Sequence, residues 1–316
     1  MSKVVAITGG TGFVGRHLVS RHVALGDEVR YLTRSLDGGA LPGAIPYVGD
    51  LVSDREILES FVEGVDVLYH CAAELLDSSR MEATNVIGTR NLLLASQNKI
   101  GRWVQLSSVG VYGLAPGCNI YEDSPLNPGN PYEKSKAQAD SLVLDAAKRA
   151  GLQAVILRPS NIYGQDMPNK SLFQLIRMID KGFFFYIGPP GAYVNYVHVE
   201  NVVDALVMCG KRKIPQNGRV YIISDNLPLD TFVECIAKFL GQPEPKFRMP
   251  LILAKMAVSL CGGIPNFPLS KRRIMALTDR TVYSSRRITK ELGFNHRISL
   301  KEGIASLVEE YMRGQR

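Results

Sequence analysis

Thr8-Gly9-Gly10-Thr11-Gly12-Phe13-Val14-Gly15 is the stretch that decides the fold. An apolar run, Val4 to Ile7, precedes it, and a helical pattern follows through Phe13, Val14, Leu18, Val19, Val23 and Leu25. A short buried strand, a glycine turn and a helix start, in that order, are the context a dinucleotide site requires. One glycine permits the tight turn, one admits a pyrophosphate to the backbone, and one lets the helix pack close to the strand. The first free N–H groups of the helix then face the phosphates, with the positive end of the helix dipole behind them. The glycines fit both Gly9-x-x-Gly12-x-x-Gly15 and Gly10-x-Gly12-x-x-Gly15, a pattern that any α/β protein with a glycine-rich turn can show.

The rest of the chain narrows that choice. Strand patterns recur at Glu28 to Thr33, Ile45 to Val48, Val65 to His70, Arg102 to Leu106, Ala154 to Leu157 and Val220 to Ser224. Helical patterns alternate with them, notably Met81 to Gln97 and a long helix opened by Pro131 and running to Ala150. This alternation predicts an α/β fold, a doubly wound parallel Rossmann sheet with a smaller C-terminal lid. We expect residues 1–165 to form the dinucleotide-binding domain, with 196–228 returning to it. Residues 166–195 and 229–316 should mainly form the substrate-binding domain, with the ligand in the cleft between them.

Bulk properties exclude several classes. With 316 residues, 46% hydrophobic and 21% charged, the chain has the profile of a globular protein with a substantial core. The net charge of +7 is scattered apart from Lys211 to Lys213 and Lys271 to Arg273. No aromatic-basic interleaving accompanies these clusters, so nucleic acid is not expected as a partner. Five cysteines, without a C-x-x-C pair, read as reduced thiols of a cytoplasmic protein. The histidines have no metal-ligand spacing, and no metal is expected. No signal peptide is expected, because the first residues lead straight into a strand. Leu251 to Cys261 is the longest apolar stretch; it is interrupted by Lys255 and too short to span a bilayer.

The chemistry centres on Tyr132 and Lys136, four apart on one helix and therefore on one face. A fixed ammonium near a phenol lowers its pKa, and the phenol then exchanges a proton with a substrate hydroxyl or carbonyl. Ser108, at the end of the neighbouring strand, can hydrogen-bond the same oxygen. At the tip of the second strand, where an NAD site usually carries an acid, the chain has Arg34, whose guanidinium suits a 2′-phosphate. Asp37 lies three residues on and could still reach a ribose, so NADP is the expected cofactor and NAD the alternative. Asp50 is placed to accept from an adenine amino group, and Ala72 and Ala73 leave room at a strand end for a flat ring.

Taken together, these residues resemble an extended short-chain dehydrogenase/reductase, of the NAD-dependent epimerase/dehydratase family and its 3β-hydroxysteroid dehydrogenase and dihydroflavonol reductase-like branch. The matching segments are Thr8 to Gly15, Asp50-Leu51, His70 to Ala73, Asn85 with Gly88-Thr89, Ser108 with Val111-Tyr112-Gly113, Tyr132-x-x-x-Lys136, Arg158-Pro159 with Tyr163-Gly164, and His198-Val199. The resemblance implies Ser108, Tyr132 and Lys136 as the catalytic set, with Asn85 either completing it or structural. It implies cofactor contacts at Gly9, Gly12, Phe13, Val14, Gly15, Arg34, Asp50, Leu51, Ala72, Ala73, Ser107, Tyr132, Lys136, Pro159 and Ile162. Substrate would meet Ser108, Tyr132 and Asn161. It also implies a homodimer through Met81–Gln97 and Tyr132–Ala150, for which Leu142, Val143, Ala146 and Ala147 could supply an apolar stripe. The reaction expected is hydride transfer between the cofactor and a secondary alcohol or ketone. The alternatives are a nucleotide-sugar epimerase or dehydratase with tightly held NAD, and a non-catalytic redox-sensing binder. Many nucleotide-sugar members carry an arginine where this chain has Val194, which points away from a diphosphate substrate.

Overall fold

The structure is a computed structural model that describes residues 2–114, 117–261 and 270–314. Seven strands form one sheet: β1 (Val4–Thr8), β2 (Glu28–Thr33), β3 (Ile45–Val48), β4 (Val65–His70), β5 (Ile100–Leu106), β6 (Ala154–Pro159) and β7 (Arg219–Ile223). They lie in the order β7-β6-β5-β4-β1-β2-β3, and every neighbouring pair is parallel. The chain winds outward from β1 to β3 and then crosses back to place β4 on the other side of β1. The carboxyl ends of β1 and β4 therefore flank the point where the winding reverses, which is where such sheets open a crevice for ligands.

Helices cover both faces of the sheet, so its central strands are apolar on both sides. On one face Phe13–Ala24 and Val199–Lys211 bury Val14, Leu18, Val202 and Leu206 against Val5, Ile7 and Ile223. On the other face, Leu58, Leu92 and Val143 pack with Ala6, Leu68, Trp103 and Ile156. A second core lies outside the sheet. It is built by Ser171–Asp180, Leu229–Leu240 and Leu300–Arg313 around Ile176, Phe232, Ile236, Ile304 and Leu307. Tyr193–His198 joins the two regions, parallel to Asn161–Tyr163 and antiparallel to Asp225–Pro228. Phe13 touches both cores.

Three details differ from the sequence reading. The helix Arg286–Leu292 and Phe294 do not belong to the outer core; Ile288, Leu292 and Phe294 pack into the sheet core. Arg219 and Tyr221 of β7 both bond Glu291, which ties that helix down. The stripe at Leu142, Val143, Ala146 and Ala147 is split, because Val143 and Ala147 are buried under the sheet. Finally, the helix expected from Met81 runs from Ser78 to Ala95 and contains a π-turn, Glu82–Ile87. Such a turn inserts an extra residue and re-aims the side chains around it; here it carries Asn85.

Candidate active site

The glycine turn is shaped by backbone approach rather than by side chains. Gly9 has φ +67°, and a Cβ there would lie 2.7 Å from the Ala72 amide nitrogen. A Cβ at Gly15 would overlap the Gly9 carbonyl oxygen, so helix and strand approach too closely for any side chain. Gly12 differs. Its backbone is extended (φ −74°), and a Cβ there would meet only Gly9 O, at 3.1 Å. No side chain caps this helix and no acidic residue occupies its first turn. Uncapped N–H groups behind a glycine with free space in front fit the pyrophosphate of a dinucleotide.

Behind the turn a buried hydrogen-bond chain locks β1 to β4. Thr8 Oγ1 takes the Ala72 N–H at 3.2 Å and donates to His70 Nδ1 at 2.7 Å. His70 Nε2 faces Thr89 Oγ1 at 2.9 Å, and that hydroxyl donates to Asn85 O at 2.6 Å. With every hydroxyl proton assigned, His70 must carry its proton on Nε2. Burial, assisted by the Lys136 charge, drops its pKa to about 3, so the ring is neutral. Cys71 next to it is pushed up to about 12 by burial and is no thiolate nucleophile.

The catalytic candidates converge on the carboxyl end of β5. Pro131 opens the helix Pro131–Arg149, and Asn130 and Glu133 form a reciprocal cap that fixes its first turn. Tyr132 sits in that turn, half-buried, close enough to Ser108 for that side chain to favour its ionised form. Ser108 also accepts the Gly110 N–H at 3.0 Å, which sets its rotamer. One turn on, Lys136 is buried and donates to the Leu106 carbonyl at 2.7 Å. Here the sequence expectation of a depressed tyrosine fails. Burial pushes Tyr132 up to about 12, and Ser108 opposes it only in part. The ammonium is turned toward Leu106 O, and Tyr132 is a protonated phenol at neutral pH.

One turn further again is Asp140, a residue the sequence reading passed over. It is 1% exposed. Its Oδ2 accepts from Ser107 Oγ at 2.8 Å and Arg158 Nε at 3.0 Å. Arg158 also donates to the Tyr112 hydroxyl at 2.8 Å. Burial lifts the Asp140 carboxyl above its ordinary value, while Arg158 and Lys136 oppose the lift. Burial likewise lowers Lys136, and Asp140 raises it back. Ser107, read as a cofactor contact, turns its hydroxyl inward to this carboxylate and gives its N–H to Leu157 O at 2.7 Å, leaving only its carbonyl for a ligand. The signals were present: Tyr132, Lys136 and Asp140 recur every four residues, and Arg158 interrupts an otherwise apolar strand. Asn85 is 2% exposed; its amide donates to Ser135 Oγ at 2.9 Å and to Glu74 O at 3.1 Å. It clamps the loop after β4 to the Tyr132 helix.

The remaining residues line the crevice unevenly. Arg34 is exposed, and no hydrogen bond or ion pair of its side chain is found among the described residues. Asp50 Oδ1 is taken by the Val52 N–H at 2.7 Å. Leu51 is buried and packs where a Cβ on Gly88 would stand. Pro159 ends β6, and Ile162 packs against the sheet core. Asn161 is exposed and donates to Asn195 O at 3.1 Å. Among the described residues no cluster of His, Cys, Asp and Glu could hold a metal.

This combination of sheet, glycine turn and Ser108-Tyr132-Lys136 defines a nucleotide-dependent enzyme of the short-chain dehydrogenase type. Residues 5–224 match the model of the NAD dependent epimerase/dehydratase family, and the chain belongs to that family. Among similar proteins is the 4-hydroxy-2-methyl-3-oxo-4-farnesyl-3,4-dihydroquinoline-1-oxide ketoreductase of Stigmatella aurantiaca, 32% identical over 98% of this chain and 97% of that protein. The 3beta-hydroxysteroid-dehydrogenase/decarboxylase isoform 1 of Arabidopsis thaliana is 27% identical over 96% of this chain and 79% of that protein. The solved structure of MoeE5 in complex with UDP-glucose and NAD aligns with a TM-score of 0.73 at 26% identity, covering 99% of each chain. The protein is thus an NAD(P)-dependent enzyme of the extended short-chain dehydrogenase/reductase family.

Proposed function

We propose that the protein is a ketoreductase or secondary-alcohol dehydrogenase acting on an apolar or weakly polar substrate. The observation that carries this reading is the placement of Tyr132 by the capped start of its helix beside Ser108 at the carboxyl end of β5. A neutral phenol is poised to give a proton to a carbonyl oxygen. When bound, the nicotinamide supplies or accepts the hydride. Tyr132 moves the proton at the substrate oxygen, and Ser108 donates to that oxygen as charge develops on it. Lys136 and the uncapped start of the Phe13–Ala24 helix would hold the cofactor, the helix N–H groups suiting its pyrophosphate.

The substrate class rests on where the lid cations are. A diphosphate is normally met by arginine forks. Among the lid arginines, Arg248 is paired with Asp230, Arg273 is engaged with Met178, and Arg280 donates to Pro190 O at 2.8 Å. Two of these three guanidiniums are thus engaged by side chains of the protein itself. The farnesyl-bearing name of the Stigmatella relative supports the same reading. The second reading, a nucleotide-sugar epimerase or dehydratase, is favoured by the likeness to MoeE5. Incubation with cofactor and either a panel of apolar ketones or UDP-glucose distinguishes the two. Net oxidation of the reduced nicotinamide by ketones is expected. Sugar conversion without net change in nicotinamide absorbance, with UDP raising the melting temperature, would establish the second reading; a ligand at a hundred times its Kd adds about 2.7 kcal/mol.

For the cofactor we propose NADP over NAD, on the free guanidinium of Arg34. Tighter binding of NADPH than NADH, lost in Arg34→Asp, is the expected titration result; equal affinities in the unmodified protein would refute it. We also propose a cytoplasmic homodimer. Val143 and Ala147 are unavailable to it, but Leu142 and Ala146 remain partly exposed and Leu94 is 59% exposed. Light scattering at micromolar protein should give twice the chain mass; a monomer mass would refute the dimer.

A further inference from the structure

The helix Leu251–Cys261 is unlike the other helices of the molecule. Of residues 251–260 only Ala254 is buried. Leu251, Ala257 and Val258 rest beside it on Ile187 and Ile274. The opposite side is apolar and open: Ile252 is 72% exposed, Leu253 54%, Met256 52% and Leu260 80%. At 100° per residue these four fall on one arc, and Lys255 and Ser259 border it on one side. Phe247, four residues before the helix, is 64% exposed. Patches of this kind on a folded chain mark contact sites.

The charge around this helix is equally distinctive. From Pro245 to Thr278 the sequence has no Asp or Glu, yet it contains Lys246, Arg248, Lys255, Lys271, Arg272 and Arg273. Six basic residues in this segment nearly account for the chain's net charge of +7; the remainder is close to neutral. Lys246, Lys255 and Lys271 are exposed.

We propose that this helix is a docking surface that lies in the headgroup layer of an anionic phospholipid bilayer. An apolar arc bordered by a lysine, in a segment with no acidic residue, suits an interfacial helix: the apolar side chains enter the acyl boundary and the ammonium groups stay with the lipid phosphates. The charge of the segment complements an anionic leaflet, where each basic side chain strengthens partition about fivefold. A protein partner fits less well, because lysine is depleted in protein interfaces. No described helix is long and apolar enough to cross a membrane, so the contact is one of surface seating. It does not depend on which ketone or sugar the site turns over.

Vesicle co-sedimentation of the full chain tests this. One set of vesicles is phosphatidylcholine alone and the other contains about one-third phosphatidylglycerol. Binding to the anionic set should exceed binding to the neutral set about tenfold or more and weaken as salt rises. Leu253→Ser combined with Met256→Ser should reduce it about tenfold with an unchanged melting temperature, since both residues face solvent. Lys255→Glu with Lys271→Glu should reduce it similarly and serves as the second variant if the serine pair unfolds. Absence of binding to the anionic vesicles at low salt would overturn the proposal. So would binding indifferent to both pairs of substitutions, or a dimer mass in light scattering that the serine pair abolishes, which would seat a second copy of the chain there.

Discussion

Asp140→Asn is the most informative single perturbation of this site. The carboxylate holds Ser107 at 2.8 Å and Arg158 at 3.0 Å in a fully buried setting. Arg158 is 3% exposed and Lys136 3%, so neither cation can recover its hydration when the charge is removed. Breaking one partner out of a buried ion pair costs about 3–5 kcal/mol. The asparagine keeps one acceptor, which offsets about 1 kcal/mol of that, so a loss of roughly 2–4 kcal/mol is expected. Lys136 supplies a second, functional readout. Asp140 raises its pKa against burial; without the carboxylate that pKa falls further, and the ammonium deprotonates at lower pH. The alkaline limb of kcat/KM, with whichever ketone the protein reduces, should therefore move to lower pH. Urea melts give the stability change and pH–rate profiles the second effect. Asp140→Leu with Arg158→Met removes both charges of the buried pair and should recover the part of the loss due to an unpaired Arg158, while leaving the alkaline limb shifted. A stability loss below about 1 kcal/mol together with an unmoved limb would refute the assignment of Asp140 as the positioning partner of Lys136.

The two helix-start glycines should separate: Gly12→Ala should melt within about 1 kcal/mol of the unmodified protein but lose cofactor affinity, whereas Gly15→Ala, whose Cβ meets backbone, should lose both. Equal behaviour of the two in a thermal melt and a cofactor titration would contradict the roles assigned to them. His70 is neutral in the fold with its pKa near 3, while an unfolded histidine takes a proton near 6.5. Its contribution is full above that value and is lost as pH falls toward 3, amounting to about 2 kcal/mol by pH 5. His70→Asn should remove that part of the acid dependence, and identical slopes of stability against pH in the two proteins would rule it out.

Much of this architecture was legible because local and global signals agree. The Val4 to Gly15 stretch specifies strand, turn and helix through residue types that tolerate little else, and the six strand patterns found in sequence all belong to the seven-stranded sheet. What stayed illegible depends on atoms that only the fold brings together. The direction of the Tyr132 shift is set by burial, and the Lys136 ammonium donates to a backbone carbonyl, Leu106 O; a helical wheel shows neither. Asp140 acquired a role only when Arg158, eighteen residues later, was placed opposite it by β6. The return of Ile288 and Leu292 to the sheet core reflects β7, whose Arg219 and Tyr221 reach Glu291. The split stripe at Val143 and Ala147 shows the same limit, since an apolar face cannot announce whether its partner is the sheet or a second chain.

The central claim is that Tyr132 transfers the proton while the glycine turn holds the cofactor. Tyr132→Phe tests it most directly, because it removes one hydroxyl and leaves the ring. Measured side by side, cofactor affinity by fluorescence titration should stay within about threefold of the unmodified protein, and turnover of a reduced ketone should fall by on the order of 10²–10⁴. Turnover within about threefold of the unmodified protein would contradict the account.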